Sequence, residues 1–584
     1  MALFTPSQSP AVVVKEIDLT GGVPNVQSST GAIVGNFRWG PVGTPILVSN
    51  EAGLIETFAS PDSASTIDFH NASYFLRYSN SLQVVREATS AAKNAQTHTS
   101  ATDPTATQVG TKEEFDSLLA TQQTAGQTWG ARYPGEIGNS LRISVCPETV
   151  GDSAFDNWSY ASSFDRAPET SAEDTAASAS GTDAHVAVID KNGVFTGTAG
   201  TVLETFPHVS VAKNSKNADG TSNYLGDVIN ELSNYAYFVQ FDSAWDTNAG
   251  TLLTPGTAKN FGYANDATIK ASSNYDLADG VNSGSLTTSE IATGFDQFED
   301  KETIEIDFLI APGMASSSDQ ATVTNDLIST AVARKDCVVV TSPARDDVVN
   351  VTNETTATTN IVSTANSLTK GSYCVMDGNY LKVYDKFNDQ YIQIPAASST
   401  AGLMAATDRN AAPWFSPAGT KRGQYLGVTT IDYNPNKTNR DTLYKAGVNP
   451  VVNLAGQGIT LYGDKTLMKR PSAFDRINVR RLFLVLERAI ARAAENVMFE
   501  FNDEFTRAEF VNVIEPVLRD IKGRRGITDF RIVADETVNT AAVIDRNEFI
   551  ANIFIKPARS INYVTLNFVA VRTGVDFEEV VGTV

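Results

Sequence analysis

The stretch Ile304–Thr341 reads IEIDFLIAPGMASSSDQATVTNDLISTAVARKDCVVVT. Ile304–Ile310 is a nearly continuous apolar strand, stopped by Ala311-Pro312-Gly313. Val323, Leu327, Ile328, Ala331 and Val332 then recur at helical spacing. Cys337–Thr341 is a second buried-type strand, stopped by Ser342-Pro343. Strand, helix and strand at this spacing predict a βαβ unit with a parallel strand pair, since a helical crossover returns the chain to the same end of the sheet. Folds of this kind often bind ligands at the carboxyl ends of their strands. The crevice predicted here, at Pro312-Gly313 and Ser342-Pro343, carries neither GxGxxG nor GxSxG.

Upstream, AVVVKEIDL (Ala11–Leu19) alternates as a strand and is stopped by Gly21, Gly22 and Pro24. Gly31–Phe37 is a second apolar strand, and Leu82–Arg86 a third. Between them, Phe69, Ala72, Phe75 and Leu76 share a helical face. Ala88–Gly110 has linker composition, and the chain from there to Asp300 is Gly-, Ser-, Thr- and Asn-rich with short strands. His185–Asp190 is one of these, with a hairpin turn expected at Asp190–Gly193; a further hairpin, Tyr373–Tyr384, is expected around Asp377-Gly378.

Downstream, Leu482, Val485, Leu486, Ala489, Ile490, Ala493 and Val497 form an apolar helical stripe. Thr506 and Glu509 read as a capping box opening a helix of Phe510, Val513, Ile514, Val517, Leu518 and Ile521, with Gly523 as its stop and a kink at Pro516. Phe530–Val533 is a strand; Phe549, Ala551, Ile553 and Ile555 alternate on another, and Val564, Leu566, Phe568 and Ala570 on a third. Val575–Val581 is a short last strand. Helices with an antiparallel sheet predict an α+β C-terminal domain.

The chain has 584 residues, a length that suggests roughly four domains. Its 42% hydrophobic content supports several cores. No apolar run reaches the length of a membrane span, and MALFTPSQSP does not read as a secretory signal. The net charge of -22 disfavours DNA and anionic lipid as partners. Three widely spaced cysteines without CxxC argue against a disulfide scaffold or a cysteine zinc site and fit a reducing cytoplasm, and the four histidines show no metal-ligand spacing. Gly458–Thr466 imitates a phosphate-binding loop, but Asp464 stands before Lys465 where its carboxylate would repel phosphate. Asp346-Asp347 reads as a solvated loop, and Asp190–Gly193 lacks the later glutamate of a calcium loop. No catalytic constellation, cofactor site or metal site stands out.

Charge is unevenly spread. Gly151–Asp300 holds 21 acids and 6 bases, whereas Lys465–Arg531 holds 14 bases and 10 acids. The basic segment reads either as a solvated helix face or as a docking surface for an acidic partner. Both chain ends are strand-like; such strands either close their own domain's sheet or pair with the open edge of a neighbour.

A series of motifs runs along nearly the whole chain: PAVVVKEID (Pro10–Asp18), STGAIVGNFRWGP (Ser29–Pro41), FLRYSNSLQVVR (Phe75–Arg86), ARYPGEIGNSLRISV (Ala131–Val145), APWFSPAGTKRG (Ala412–Gly423), AGVNPVVN (Ala446–Asn453), GDKTL (Gly463–Leu467), FDRINVRRL (Phe474–Leu482), FEFND (Phe499–Asp503), DFRIVADETVNT (Asp529–Thr540) and IKPARSINYVTLNF (Ile555–Phe568). In this order they resemble the tail sheath proteins of contractile-tailed bacteriophages.

The resemblance implies a mixed α+β, multidomain fold. It would have an α/β core near an inner tube with a C-terminal antiparallel sheet and helices, a βαβ-containing middle domain, and inserted β-rich outer domains. The implied boundaries are an arm at 1–23, the middle domain at 24–95 and 303–455, outer regions at 96–195 and 196–302, the core at 456–572 and a second arm at 573–584. The arms, carrying Val12, Val13, Val14, Ile17 and Leu19 and then Val575, Phe577, Val580 and Val581, would add strands to a neighbour's sheet. The receiving strands would hold Phe549, Ala551, Ile553, Ile555, Val564, Leu566 and Phe568, with hinges at Gly21, Gly22 and Gly574. Arg476, Arg480, Arg481, Arg488 and Arg492, in the basic segment, are the candidate tube-facing set. The implied partners are further copies in a helical array, the inner tail tube protein, and baseplate and tail terminator proteins, with no nucleic-acid binding, membrane insertion or cofactor. The implied location is the virion tail, assembled in the host cytoplasm. The alternatives are the sheath of a phage-derived injection device, such as an R-type pyocin or a type VI secretion system, and a glycan-binding or glycan-cleaving β-rich protein.

Overall fold

The computed structural model describes residues 29–97, 108–119, 128–148, 153–172, 174, 181–241 and 273–562. The chain forms two units, one combining Val26–Pro413 with Pro417–Val485, the other including Trp414–Ser416 and the chain from Leu486 onward.

The larger unit is built on a seven-stranded sheet. Its strands are β1 (Gly31–Gly35), β2 (Pro45–Val48), β3 (Leu82–Arg86), β4 (Phe308–Ile310), β5 (Val338–Thr341), β6 (Cys374–Asp377) and β7 (Val448–Asn449), in the spatial order β7-β6-β5-β4-β1-β3-β2. All neighbours are parallel except β2 and β3. The β4–β5 pair is the parallel pair of the βαβ unit, and its crossover is helix α2 (Ser317–Arg334). Registers Gly31↔Phe308 and Ala32↔Leu309 join β1 to β4, so strands separated by more than 270 residues of chain lie side by side. The Thr30 amide donates to Asp307 Oδ2 at 3.0 Å just before that ladder begins.

Apolar side chains leave both sheet faces, which is why these strands read as continuous apolar runs rather than as alternating ones. One face buries Ala32, Val34, Leu309, Val339, Cys374 and Met376 beneath helix α2 (Ser317–Arg334) and its neighbours. The other buries Ile33, Phe308, Ile310, Val338, Val340 and Val375 beneath helices α1 (Thr66–Leu76) and α3 (Ala397–Asn410) and the start of α4 (Ile477–Glu495). α3 approaches α1 closely at Gly402, where a Cβ would lie 2.4 Å from the Tyr78 ring. Leu461, Leu467, Ile477 and Leu484 also belong to the cores of this unit, so residues 456–485 pack here rather than with the C-terminal unit.

Between β3 and β4 the chain builds an antiparallel sheet of Ser273–Asp276, Leu141–Pro147, Asp183–Asp190 and Thr201–Ser210, and a three-stranded sheet of Asn94–Gln96, Trp129–Pro134 and Ala236–Phe238. One apolar core, holding Ala95, Trp129, Val186, Phe238 and Leu277 together with Trp39, serves both sheets, and smaller clusters form around Trp158 and around Phe115 and Tyr237. The turn at Asp190–Gly193 is not a two-residue hairpin. Asp190 pairs with Thr201, and residues 191–200 form a longer loop. The Asp190 carboxylate organises it, accepting from Ser140 Oγ at 2.6 Å and from the amides of Val194, Phe195 and Thr196 at 2.9–3.0 Å.

Asp377-Gly378 is likewise not a hairpin tip. β6 is buried and takes its partners from β5 and β7, while Tyr380–Asp385 pairs with Gln390–Pro395 and Thr430–Ile431. Asp347 is tied into the fold by Ser317 Oγ and Thr364 Oγ1, at 2.7 and 2.6 Å, and is not a solvated loop residue. Gly458–Leu461 is a strand paired with Val451–Leu454, as its apolar side chains demand. Cys146, Cys337 and Cys374 are free and buried.

Candidate functional site

In the C-terminal unit, helix α5 (Glu504–Gly523) packs against a two-stranded antiparallel sheet of β8 (Ile527–Val533) and β9 (Asn552–Pro557). α5 is capped three residues earlier than expected. Asp503 is its N-cap and accepts from the Thr506 amide at 2.8 Å. Phe510, Ile514, Leu518 and Ile521 form its buried stripe, at the spacing read from the sequence. The helix runs unbroken through Pro516. Beyond it, Arg525 takes a left-handed backbone at φ 68°, and Gly526 lets the chain pass under Trp414, where a Cβ would come within 3.0 Å of the ring. The Trp414 indole N–H donates to the Arg524 carbonyl at 3.2 Å.

The strands pair from Ile527↔Pro557 to Val533↔Asn552, with a register shift between Ile527 and Asp529. The cross-strand pairs Phe530↔Ile555 and Ile532↔Ile553 lie on the half-buried face, while Arg531 and Phe554 are exposed. Ile553 and Ile555 thus occupy the alternating positions read from the sequence. Phe549 precedes the strand and packs edge-on against Phe510 at 5.0 Å, and Ala551 is the residue before β9. Asn539 fixes the entry to β9: its side chain donates to the Ile550 carbonyl and accepts from the Ile550 amide, both at 2.8 Å. Among the described residues this sheet has two strands, each with an edge lacking a strand neighbour. Val564, Leu566, Phe568, the arm residues Val12, Val13, Val14, Ile17, Leu19, Val575, Phe577, Val580 and Val581, and the hinge glycines Gly21, Gly22 and Gly574 lie outside the described residues.

The five candidate arginines do not form one surface. Arg480 is 5% exposed, with its guanidinium 4.4 Å from the Tyr373 ring centroid and 4.6 Å from that of Phe474. Arg481 is 4% exposed; it donates to Asp408 Oδ1 at 2.6 Å, to Asp408 Oδ2 and to the Met404 carbonyl at 3.1 Å, and lies over the Phe308 ring. These two fasten the first turns of α4 inside the larger unit as buried structural cations. A guanidinium can be buried when a carboxylate and ring faces replace its water. Arg476 is partly exposed and engaged by Asp464 at 2.9 Å and the Tyr444 hydroxyl at 2.6 Å. Within the C-terminal unit, Arg488 and Arg492 are half-buried on the later turns of α4.

The loop between α4 and α5 carries the FEFND motif, to which the sequence attaches no role of its own. Phe499, Phe501 and Phe505 are 102%, 85% and 78% exposed. Phe499 holds φ at 72°, a region that costs a bulky residue roughly 1–3 kcal/mol. The loop is nonetheless firmly held. Arg507 donates to Asn502 O and Oδ1 at 3.2 and 2.8 Å, and Asn502 donates to the Glu548 carbonyl at 2.8 Å. The available signal was FEFND itself, where aromatic and acidic residues mix outside any helical stripe.

Among the described residues, no group of three His, Cys, Asp or Glu side chains is placed to hold a metal ion, and no helix is long and apolar enough to cross a membrane.

The family model for the phage tail sheath protein central domain matches residues 284–467, and that for the phage tail sheath C-terminal domain matches 469–570. The chain is 32% identical to the tail sheath protein of Enterobacteria phage T4, over 98% of this chain and 99% of the relative. It is 31% identical to that of Vibrio phage KVP40, again over 98% and 99%. In fold it is similar to the crystal structure of a sheath tail protein from Listeria innocua, at 12% identity and a TM-score of 0.54, covering 92% of this chain and 93% of that one.

Proposed function

The chain belongs to the phage tail sheath protein family and is a subunit of a contractile sheath, and from that premise we propose how its C-terminal unit holds the sheath together. Copies polymerise as a helical array around the inner tail tube. The terminal arms, Val12–Leu19 and Val575–Val581, add strands to the β8–β9 sheet of neighbouring copies. The strand edges of that sheet that lack a neighbour among the described residues are the observation that carries this reading, because an unpaired ladder is a template for another chain. Each net backbone hydrogen bond contributes about 0.5–1.5 kcal/mol, so an arm making about five contributes a few kcal/mol. Such a link keeps subunits connected while the hinges at Gly21, Gly22 and Gly574 turn. Contraction then repacks rigid bodies about retained links and needs no chemical step in the subunit.

Release of the tube requires a weak grip. Exposed ion pairs, at under about 1 kcal/mol each, suit a sliding contact. With Arg480 and Arg481 internal, Arg488 and Arg492, with Arg476 beside them in sequence, remain the candidates for the tube. Baseplate and tail terminator proteins cap the array, which assembles in the host cytoplasm and functions in the virion. The full-length likeness to phage proteins favours a phage tail over a phage-derived device.

Deleting Met1–Gly22 tests the arm. The full chain is expected to form hollow helical tubes, visible by negative-stain electron microscopy alone or around the tube protein. The deleted chain is expected to stay monomeric in both settings, and tubes from it would refute the arm.

A further inference from the structure

The loop between α4 and α5 has no assigned role, yet it and the first turn of α5 expose three phenylalanines within seven residues. Its tethering through Asn502 and Arg507 holds the backbone that carries those rings, which lowers the cost of ordering the loop when a partner meets it. We infer that this loop is a contact to a second copy of the chain: Phe499, Phe501 and Phe505, with Glu500 and Glu504 beside them, seat on the basic C-terminal end of α5 in a neighbouring subunit. The inference rests on the sheath reading, since it requires an array of identical copies.

Charge on the two ends of α5 is the first support. From Glu495 to Glu509 the chain has five acidic residues and one basic, whereas from Arg519 to Arg525 it has four basic and one acidic. Lys522, Arg524 and Arg525 are all exposed, and Arg525 has no ion pair among the described residues.

The chemistry of arginine is the second support. A guanidinium plane accepts a ring face and a carboxylate together. The chain already uses that pairing internally, with Arg481 between Asp408 and the Phe308 ring, and Arg524 between Asp520 at 3.7 Å and the Trp414 ring at 5.0 Å.

Geometry decides the partner. The two ends of a helix of 20 residues are about 30 Å apart at 1.5 Å per residue, so the acidic, aromatic end cannot reach the basic end of its own helix. It can reach that of another copy, head to tail. A head-to-tail contact leaves one free end of each kind on every dimer, and repeating it yields a ring or an open helical array rather than a closed pair. The contact is made by side chains and leaves the β8–β9 ladder free for the arms.

The test uses full-length chains with exposed substitutions only. One variant reverses the loop (Glu500→Arg with Glu504→Arg), one reverses the helix end (Arg524→Glu with Arg525→Glu), and one carries all four changes. Circular dichroism checks their folding, and sedimentation measures polymer formation with and without tube protein. Each two-site variant alone is expected to need at least about tenfold more protein to polymerise, because its like-charged ends repel. The four-site variant, and an equimolar mixture of the two-site variants, are expected to recover most of the wild-type behaviour. A two-site variant that polymerises like the wild type would overturn the inference. So would impairment that neither the mixture nor the four-site variant repairs, which would assign the loop to the tube or to a masking arm. A wild-type chain that polymerises in neither setting would instead overturn the sheath reading, and this contact with it.

Discussion

Arg481 is a cation inside an apolar layer, and its stability depends on one carboxylate. Its side chain and that of Asp408 are 4% and 6% exposed. Removing one member of such a pair strands the other charge, at a cost of about 3–5 kcal/mol, whereas replacing both with apolar groups is close to neutral. Asp408→Asn is therefore expected to destabilise the larger unit by about 3 kcal/mol in urea unfolding. The double change Asp408→Leu with Arg481→Met should cost much less. Equal losses in the two variants would show that packing, not charge, sets the effect. The burial of this residue and of Arg480 carries no mark in the local sequence. Helical spacing places Arg480 and Arg481 off the apolar stripe, and off-stripe arginines read as exposed. Asp408, Tyr373 and Phe308, which bury them, are 70 to 175 positions away in sequence and carry no local mark. The cap of α5 was missed for a smaller reason: Asp503 and Thr506 are both good caps by type, and the choice is made by where the chain turns.

At the scale of the element, α5 contradicts its own sequence at one position. Pro516 lacks an amide hydrogen, so the Asn512 carbonyl loses its helical donor, yet the helix continues to Gly523. The buried stripe of Phe510, Ile514, Leu518 and Ile521 outweighs a local penalty of about 3 kcal/mol. Pro516→Ala is then expected to stabilise the C-terminal unit by about 2 kcal/mol, raising its transition in scanning calorimetry of the full chain. A fall in that transition would mean that proline fits the helix as built. Elements with a clear period were legible from sequence: the βαβ unit, the α5 stripe and the alternation of Ile553 and Ile555. Elements defined by distant partners were not. Asp377-Gly378 has the composition of a hairpin turn, but β6 is buried between β5 and β7, and that demand overrides the dipeptide. Nor does any local pattern announce that β1 will lie against β4.

At the scale of the molecule, electrostatics oppose assembly before any contact forms. Each copy brings a net charge of -22 to an array of like copies. Exposed ion pairs return typically under about 1 kcal/mol each, so a few contacts of the kind proposed for the loop do not offset the overall repulsion. Salt shortens the reach of that repulsion, to about 8 Å at physiological ionic strength. The protein concentration at which polymers first scatter light is therefore expected to fall as sodium chloride rises from about 20 to about 200 mM. A rise would show that local charge pairing dominates the lattice.

The three cysteines suit this chain to chemical labelling. All are buried, and burial pushes the Cys146 thiol up to about 12 and those of Cys337 and Cys374 higher still. Thiolate is the species that alkylates and forms disulfides, so the folded chain should be nearly silent to maleimides. One cysteine placed on the phenylalanine loop or beside an arm would then carry the only reactive sulfur per copy. A fluorophore there would report distances between adjacent copies during the contraction stroke, without first stripping the native cysteines from the cores.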